Sequence, residues 1–459
     1  MTFPAYPAYK NSGVEWLGEV PRHWRIDRLK RSTQSCRNGV WGDDPLGDDN
    51  DIPCVRVADF DRLALVVRED IPTLRNVRPE QQEGRVLRRG DLLIEKSGGG
   101  EQQSVGCVVL YDHDGPAVCS NFVARIALAE GMVASYWRYL HAAAYAVGLP
   151  IASIKQNTGI QNLDQSQYLD ERAPFPPEAE QAAIAAFLDR ETGKIDALVA
   201  EQEKLIELLK EKRQAVISHA VTKGLDPNVP MKDSGVEWLG EVPEHWEVRR
   251  VKDVARLESG HTPSKTVPEY WENCHINWVS LNDTKHLATS DYISDTAVKI
   301  SELGMKNSSA RLLPADSVVF TRDATIGLAA ITMCEMAVSQ HVIAWVPSER
   351  ILATYLLRTI DAMKGYLDSY TSGATIKTIG MGDIRKLVTA LPPLDEQQAI
   401  VGFLSASVPR IDSLMSEAQR AIDLLKERRW ALISAAVTGK IDVRGLVDTS
   451  LAPEALEPA

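Results

Sequence analysis

The stretch Asn11–Trp24 reads NSGVEWLGEVPRHW, and the stretch Asp233–Trp246 reads DSGVEWLGEVPEHW. Only two positions differ, because Asn11 is replaced by Asp233 and Arg22 by Glu244. The shared letters include two tryptophans and a proline in fixed order, which chance composition cannot produce. The repeat therefore indicates an inherited internal duplication.

The carboxyl ends of the two halves match as well. PPEAEQAAIAAFL at Pro176–Leu188 corresponds to PPLDEQQAIVGFL at Pro392–Leu404, and ISHAVTKGLD at Ile217–Asp226 corresponds to ISAAVTGKID at Ile433–Asp442. Between these matched ends the likeness fades. The duplication thus has conserved ends and diverged middles.

Each matched carboxyl end carries apolar residues at the i, i+3, i+4, i+7 spacing of a helix, from Ile195 to Ala220 and from Ile411 to Ala436. The proline pairs at Pro176 and Pro392 mark helix starts. A helix with one apolar stripe is not stable alone, so we expect the two long helices to pack against each other. Two duplicated units commonly associate about a twofold axis, which makes the helices antiparallel.

The diverged middles read as mixed α+β domains. One helix is expected in each half, near Tyr136 and near Tyr355. Short apolar runs between turn clusters predict strands at 52–57, 91–94, 105–110, 318–321 and 342–346. The predicted fold is therefore α+β, with two globular domains separated by two long antiparallel helices and an internal pseudo-twofold duplication.

Composition limits the functional classes. The chain has 459 residues and a formal charge of -12, which suit a soluble protein of two to four domains. The six cysteines form no CxxC pair, no signal peptide is indicated, and the most apolar window, 132–154, is interrupted by Arg138 and His141. We therefore expect a cytoplasmic protein with no metal site and no membrane role.

Basic residues are concentrated after the first copy of the motif. Between Arg22 and Arg37 six arginines and lysines occur with Asp27 as the only acid, and four more basic residues follow the second copy between Arg249 and Arg256. Such a cluster fits either a track for phosphates or a solvated basic face. The sequence leaves both alternatives open.

Motifs of catalysis are missing from the sequence. Neither GxxxxGK[ST] nor a GxGxxG opening a helix occurs, and GxSxG and HExxH are absent. The FPPE at Phe175 and the LPPL at Leu391 lack the Asn or Asp that DNA amino-methyltransferases place before the proline pair to accept a hydrogen bond from the target amine. The sequence predicts no catalytic residues and no cofactor or metal bound by this chain.

The repeated SGVEWLGEVPxHW, the LPPLDEQQAI and the ERRxALIxxAVTGKI motif, together with diverged middles, resemble the specificity subunit of type I restriction-modification enzymes. The resemblance covers nearly the whole chain except its tail. The first copy departs from the family pattern at two places. It has FPPEAEQ from Phe175 in place of LPPLDEQ, and Lys223-Gly224 in place of the order Gly-Lys.

The resemblance implies a non-catalytic subunit that reads a bipartite, asymmetric double-stranded DNA target, one half per recognition domain. It also implies that the helical spacers dock two methyltransferase subunits, which bind S-adenosylmethionine and methylate adenine, and that restriction/translocase subunits join the complex.

The expected division of the chain follows from the matched and diverged segments. We assign residues 1–175 and 231–390 to the two target recognition domains and residues 176–230 and 391–445 to the central and distal helical spacers. Residues 446–459 are expected to form an acidic flexible tail.

Candidate DNA-contacting residues are polar loop residues near matched positions of the diverged middles. Asn and Gln suit adenine edges, and Arg suits guanine. Each candidate has the alternative role of a polar residue that only stabilises its loop. The candidates are Lys96, Ser97, Gln102, Gln103, Gln156, Asn157 and Gln161 in the first domain, and Ser264, Lys265, Thr321, Arg322, Lys377 and Thr378 in the second.

Two other classes of protein compete with this interpretation. A non-catalytic coiled-coil scaffold would explain the paired helices, but two large domains that differ would serve it no purpose. A lone methyltransferase would need the cofactor loop and the Asn/Asp-Pro-Pro motif that the chain lacks, and binding of S-adenosylmethionine by the purified chain would favour it.

Overall fold

The computed structural model describes residues 3–100, 103–157, 159–371 and 377–446, and it divides into two compact units. The first unit comprises Met1–Glu201 with Ala421–Ala459, and the second comprises Gln202–Arg420. Both units mix strands with helices, which confirms the predicted α+β class. The boundaries fall inside the two long helices, so each helix contributes one part to each unit.

In its described part, the first unit holds short helices at Pro79–Gln82, Ala134–Ala146 and Gln165–Leu169, and 3-10 turns at Leu29–Ser32, Val57–Asp59 and Leu149–Ser153. Its strands within the described residues are Tyr9–Asn11, Glu19–Pro21, Arg25–Arg28, Thr33–Asn38, Asp51–Val55, Phe60–Asp61, Val66–Val67, Leu74–Asn76, Leu92–Glu95, Ser97–Gly98, Val108–Leu110, Val118–Cys119, Val123–Leu128, Ile154–Asn157, Ile160–Leu163 and Arg172–Phe175.

The second unit holds short helices at Thr284–Thr289, Glu302–Lys306, Ala353–Ala362, Lys364–Ser369 and Met381–Ile384, and 3-10 turns at Val251–Asp253, Pro268–Trp271 and Leu281–Asp283. Its strands within the described residues are Met231–Asp233, Glu241–Pro243, Glu247–Arg250, Ala255–Ser259, Ile276–Val279, Tyr292–Ile293, Lys299–Ile300, Val318–Thr321, Ala329–Thr332, Ala337–Val338, Val342–Pro347 and Val388–Leu391.

The largest sheet of each unit has the same strand order along four strands. In the first unit this sheet runs Thr33–Asn38, Val123–Leu128, Leu92–Glu95, Val108–Leu110, Val66–Val67, Phe60–Asp61. In the second unit it runs Ala255–Ser259, Val342–Pro347, Val318–Thr321, Ala329–Thr332, Tyr292–Ile293. The first three pairings are antiparallel in both units. The diverged middles therefore keep one topology although their sequences differ.

A buried tyrosine follows each of these sheets on the helix that the sequence predicts there. Tyr355 donates from its hydroxyl to the carbonyls of Val221 and Ala390, both at 3.1 Å. Tyr136 is equally buried and lies 3.4 Å from the Pro174 carbonyl. Burial raises the pKa of both phenols, which therefore stay neutral donors. These bonds fix each helix against a separate two-stranded sheet of its unit and, in the second unit, also against the end of the helix Glu178–Lys223.

The repeated motif has a structural role in both units. It forms a two-stranded hairpin at Tyr9–Asn11 and Glu19–Pro21, and again at Met231–Asp233 and Glu241–Pro243. The side chains that the motif repeats are buried in each copy: Leu17, Val20 and Trp24 in the first, Leu239, Val242 and Trp246 in the second.

The last tryptophan of each motif holds the start of a long helix. Trp24 Nε1 donates to Glu180 at 2.9 Å, and Trp246 Nε1 donates to Glu396 at 2.9 Å. In both units the histidine before the tryptophan contacts the other oxygen of the same carboxylate. Both glutamates lie in the first helical turn, where the helix dipole favours a negative charge. The motif is thus repeated because each long helix needs the same anchor.

The long helices are Glu178–Lys223 and Leu394–Val437, and they begin directly after the proline pairs, as predicted. They lie inside the ranges 176–230 and 391–445 that we assign to spacers. The compact units nevertheless divide within these helices, so the partition into recognition domains and spacers stays a prediction. Most of the expected acidic tail, residues 447–459, lies outside the described residues.

Candidate DNA interface

Three segments of the first unit meet where the strand Leu92–Glu95 ends, and we call this place the first junction. It comprises Lys96, Phe122 and Leu163. The backbone N–H of Lys96 donates to the Phe122 carbonyl at 2.9 Å, and the Lys96 carbonyl accepts from the Leu163 N–H at 2.7 Å. The loop after the strand Leu92–Glu95 is therefore held between two other segments of the unit.

The second unit repeats this arrangement at Arg322, His341 and Ile379, which form the second junction. The Arg322 N–H donates to the His341 carbonyl at 3.0 Å, and the Arg322 carbonyl accepts from the Ile379 N–H at 3.0 Å. The two junctions share backbone geometry and differ in every side chain. Sequence segments more than fifty residues apart are thereby brought together in each unit.

A glycine lets a fourth segment approach each junction. A Cβ atom on Gly39 would lie 2.1 Å from the Cys119 carbonyl oxygen, and one on Gly260 would lie 1.7 Å from the Val338 carbonyl oxygen. Only glycine fits such a close backbone approach. The loops that follow these glycines therefore begin beside the junctions, and they differ in sequence between the units.

The predicted residues of the first unit separate into loop supports and exposed groups. Ser97 Oγ donates to Asn162 Oδ1 at 2.7 Å, and Gln161 Oε1 accepts from the Val105 N–H at 3.2 Å, so both stabilise the loop. Lys96 is half-buried, and Gln103 is exposed. Lys96 and Gln103 thus have side chains that solvent reaches.

Three further candidates of the first unit have no described side chain. Gln102 lies outside the described residues, and the side chains of Gln156 and Asn157 are outside them too. The backbone of the latter two belongs to the strand Ile154–Asn157, where Gln156 faces Gln161. Their contact with DNA stays a prediction.

Thr321 is a correction to the candidates of the second unit. Its side chain is fully buried, its hydroxyl donates to the Thr325 carbonyl, and it accepts from the Leu328 N–H at 3.1 Å. A hydroxyl placed at the end of a central strand closes the following turn instead of facing solvent. Thr321 therefore positions the loop and offers no group to a ligand in this structure.

The other predicted residues of the second unit surround the same loop. Lys377 is exposed, and its carbonyl accepts from the Ala324 N–H at 3.0 Å, while Thr378 pairs with Asp323 through an isolated β-bridge. Ser264 and Lys265 are exposed on the loop that follows Gly260. The Ser264 carbonyl accepts from Trp271 Nε1 at 3.1 Å, which fixes the base of that loop.

A cleft of about 440 Å³ beside the first junction contains residues that the sequence did not single out. Trp41 and Phe122 line it with large exposed aromatic surfaces, and Asn121 and Arg56 add polar groups. Glu95 at its floor is buried, which raises the pKa of its carboxyl, and Arg62 pairs with it at 2.7 Å. No sequence pattern marks these residues, since only strand pairing brings Phe122 to Lys96.

The second junction is polar where the first is aromatic. His341 Nδ1 contacts Asp323 Oδ2 at 2.6 Å, and Arg322 Nε lies 3.6 Å from the same oxygen. Among the described residues, Asp323 Oδ1 and Arg322 Nε are buried without a hydrogen-bond partner. Buried polar atoms without partners are rare in folded proteins and call for an explanation.

The described residues were searched for a metal centre and for a membrane-spanning helix. Within the described ranges, no group of three or more His, Cys, Asp or Glu side chains could hold a metal ion. In the same part of the chain, no helix is long and apolar enough to cross a membrane.

Comparison with known proteins identifies the family. Residues 243–420 match the family described as type I restriction modification DNA specificity domain. A protein of Methanocaldococcus jannaschii named as the MjaX type I specificity subunit is 23% identical over 93% of this chain and 96% of its own length. Over nearly its whole length the chain is therefore similar to the specificity subunits of type I restriction-modification enzymes.

Other relatives of the chain have the same kind of name. The MjaIX specificity subunit of Methanocaldococcus jannaschii is 28% identical, but the match spans 41% of this chain and 43% of the relative. The EcoR124I/EcoR124II specificity subunit of Escherichia coli is 25% identical over 57% of this chain and 62% of its own.

Solved structures show that the fold is shared. A chain from a type I R-M system has a TM-score of 0.70 at 17% identity and covers 92% of this chain and 99% of itself. The HsdS subunit of Thermoanaerobacter tengcongensis has a TM-score of 0.54 at 16% identity and covers 92% of this chain and 98% of itself.

These relatives are named specificity subunits, so a coiled-coil scaffold is not favoured.

Proposed function

We propose that this specificity subunit recognises a bipartite, asymmetric DNA target, with one half bound at each junction. The proposal rests on the two junctions, which have equivalent backbone hydrogen bonds but different side chains. Backbone geometry sets where DNA is held, whereas side chains set which bases are preferred. Two unlike sets of side chains on one scaffold therefore imply two unlike half-sites.

Charge and chemistry at the second junction support a polar, guanine-containing half-site. Arg322 keeps an Nε–H without a hydrogen-bond partner. Lys265 and Lys377 are exposed on loops of the same unit. Arginine is the usual partner of guanine in the major groove, and lysines pair with phosphates.

The first junction favours a different half-site. Its cleft is lined by Trp41 and Phe122, and apolar side chains contact the thymine methyl group in the major groove. Lys96 and Gln103 provide the polar groups at its edge. This half would contain at least one A·T pair.

The partners follow from membership in a type I complex. We infer that the chain positions two methyltransferase subunits, which bind S-adenosylmethionine, and that restriction/translocase subunits join them. The chain itself would bind no cofactor. Its contribution to methylation is therefore the choice of target.

The proposal is tested with the chain and its cognate methyltransferase subunit, purified separately and together. Methylation of genomic DNA from a methylation-free host, read by single-molecule sequencing, should appear only with both proteins and only at one asymmetric two-part motif. Adenine methylation by the chain alone, or a palindromic motif, would contradict the proposal.

A further inference from the structure

A tight turn lies directly before the strand Val123–Leu128 in the first unit and directly before the strand Val342–Pro347 in the second. We call the two segments the paired turns: Ser120-Asn121-Phe122-Val123 and Ser339-Gln340-His341-Val342. In each, the backbone N–H of the valine donates to the carbonyl of the serine, at 2.9 Å and 3.1 Å, which is the closing bond of a β-turn. The outer residues of the paired turns are identical, whereas the two central residues differ.

The outer residues are held by the same contacts in both units. Each serine N–H donates to a residue of a neighbouring strand at 2.9 Å, Val55 in the first unit and Val279 in the second. A glycine packs against each serine, since a Cβ atom would lie 2.3 Å from the Ser120 carbonyl oxygen on Gly39 and 2.7 Å from the Ser339 carbonyl oxygen on Gly260. Both serines and both valines are buried. The outer residues therefore form a common frame.

The central residues of the paired turns face solvent. Asn121 and Gln340 are exposed, Phe122 is 45% exposed, and the side chain of His341 is 42% exposed. Their backbone belongs to the junctions described above. The duplication has thus kept the two buried positions of the turn and exchanged the two exposed ones.

A chain of hydrogen bonds orients the amide in the second turn. Thr262 donates from its hydroxyl to Gln340 Oε1, and Gln340 Nε2 lies 3.2 Å from His341 Nε2. At the other end of the imidazole, Nδ1 contacts Asp323 Oδ2 at 2.6 Å. An ionised carboxylate only accepts, so Nδ1 carries the proton and Nε2 accepts from the amide nitrogen of Gln340. The exposed amide is therefore held in one orientation by three other side chains.

The first turn presents its central residues differently. Within the described part of the chain, the Asn121 side chain makes no hydrogen bond, and it lines the same cleft as Phe122 and Trp41. The Arg75 guanidinium lies 4.6 Å from the centre of the Trp41 ring and holds that ring in place. One frame thus carries a free amide beside an apolar ring in the first unit and an oriented amide beside an imidazole in the second.

We propose that the central side chains of the paired turns determine base preference, with Asn121 contacting an adenine in one half of the target and Gln340 an adenine in the other. The inference rests on the proposed function. A side-chain amide pairs with adenine by accepting from N6 and donating to N7. Both groups of Gln340 remain available, because the oxygen has a second lone pair and the nitrogen a second hydrogen.

The surroundings of the turns favour DNA as the ligand of these amides. The Phe122 carbonyl accepts from the backbone of Lys96, and the His341 carbonyl accepts from the backbone of Arg322, so a basic residue lies at the side of each turn. Ordering an exposed glutamine costs conformational entropy. That cost is offset when both ends of the amide meet a partner. Thr262 is accordingly a positioning residue that acts through Gln340.

Replacement of each amide by alanine tests the assignment in the full chain combined with its methyltransferase subunit. Methylation rates are measured on a library of targets varied at every position. Asn121→Ala should lower discrimination at one A·T pair of one half by about tenfold or more, and Gln340→Ala should do so in the other half. Gln398→Ala, which removes an exposed amide from the helix Leu394–Val437, should leave base preference unchanged. Full discrimination by both turn variants overturns the proposal, as does a loss confined to G·C pairs.

An exchange variant guards against misfolding. Gln340→Asn combined with His341→Phe gives the second turn the pair that the same frame already carries in the first unit, and it should change base preference in the second half only. Thr262→Val should lower discrimination at the position that Gln340→Ala affects without changing affinity for non-specific DNA. Equal weakening on all sequences would overturn the positioning role.

The two levels of inference fail in different ways. An unchanged motif in turn variants that still methylate would overturn the role of the paired turns and leave the proposed function standing. If the unaltered chain and its methyltransferase subunit methylated no two-part motif, the proposed function itself would fail.

Discussion

Arg429 donates from Nε to Asp196 at 2.8 Å within the first unit, and its side chain is only 2% exposed. Nη2 of the same guanidinium donates to the Leu63 carbonyl at 2.6 Å. One side chain therefore joins both long helices to a loop of the six-stranded sheet of the first unit. In the second unit, Arg213 and Asp412 occupy the same repeat positions and pair at 2.9 Å, but their side chains are 28% and 45% exposed. The duplication thus has one buried and one solvated copy of the same ion pair.

This difference predicts unequal effects of the same substitution. Arg429→Ala should lower the free energy of unfolding of the first unit by about 3 kcal/mol, because it removes charged hydrogen bonds in a buried site. Arg213→Ala, the matched control, should cost about 1 kcal/mol or less, since water screens an exposed pair. Urea unfolding followed by hydrogen exchange of each unit measures both values. Equal losses for the two variants would contradict this account.

His141 predicts a pH dependence of stability in the first unit. It is fully buried on the helix Ala134–Ala146, its Nδ1 lies 2.7 Å from the Tyr168 hydroxyl, and burial lowers its pKa from 6.5 to about 4. The unfolded chain takes up a proton near pH 6.5 and the folded chain does not, so stability is full above that pH and falls toward pH 4. At pH 5 the loss should be roughly 2 kcal/mol.

The measurement for His141 is the difference in unfolding free energy between pH 7 and pH 5 for the unaltered chain and for His141→Gln. Glutamine does not titrate, so the variant should show a smaller drop by about the amount given above. A drop of the same size in both proteins would mean that other groups cause the pH dependence.

Exchange of the first diverged middle should alter one half of the target. We expect a chain that carries another member's residues in place of Thr33–Glu171 to methylate a motif with one new half and one unchanged half. The reason is that this segment contains the whole first junction, while the pairing of Arg25–Arg28 with Arg172–Phe175 is kept at its edge. Sequencing of methylated DNA reads the result, and a change in both halves would refute the assignment of one half to each junction.

Replacement by alanine should affect base preference at Arg322 but overall DNA affinity at Lys265. Arg322→Ala should relax the preference at one position of the second half by about 1–3 kcal/mol, as expected for lost contact with a base. Lys265→Ala should weaken binding to all sequences alike and reduce the dependence of affinity on salt, because a lysine pairs with phosphate. Binding of a target library by the methyltransferase complex at two salt concentrations separates the effects. Uniform weakening by Arg322→Ala would exclude it as a base contact.

Much of the fold is predictable from local pattern. The apolar period predicts both long helices, the proline pairs predict where they begin, and short apolar runs predict strands such as Val318–Thr321 within a residue or two. The duplicated motif also predicts a repeated anchor, which the bonds from Trp24 to Glu180 and from Trp246 to Glu396 explain. These features are predictable because they depend on neighbouring residues along the chain or on a duplication that is visible in the sequence.

The candidate site is predictable only in part. Lys96, Arg322 and Lys377 are polar residues near matched positions of the diverged middles, and in the second unit the fold places the loops that contain Arg322 and Lys377 together. Thr321 was chosen on the same grounds, yet its hydroxyl closes the turn, since the last residue of a central strand points into the core. The sequence pattern does not mark Phe122 or His341. Along the chain each lies before a different strand from the one that ends at its junction.

The sequence by itself determined the duplication, the two long helices, the absence of catalytic motifs and the family, because each of these is a pattern of letters in order. Only the tertiary structure decided which side chains surround each junction, that Arg429 is buried while Arg213 is solvated, and that Phe403 is open while Phe187 is covered. The physical reason is that burial depends on segments distant in the chain. Identical letters acquire different surroundings when different segments of the chain pack against the two copies.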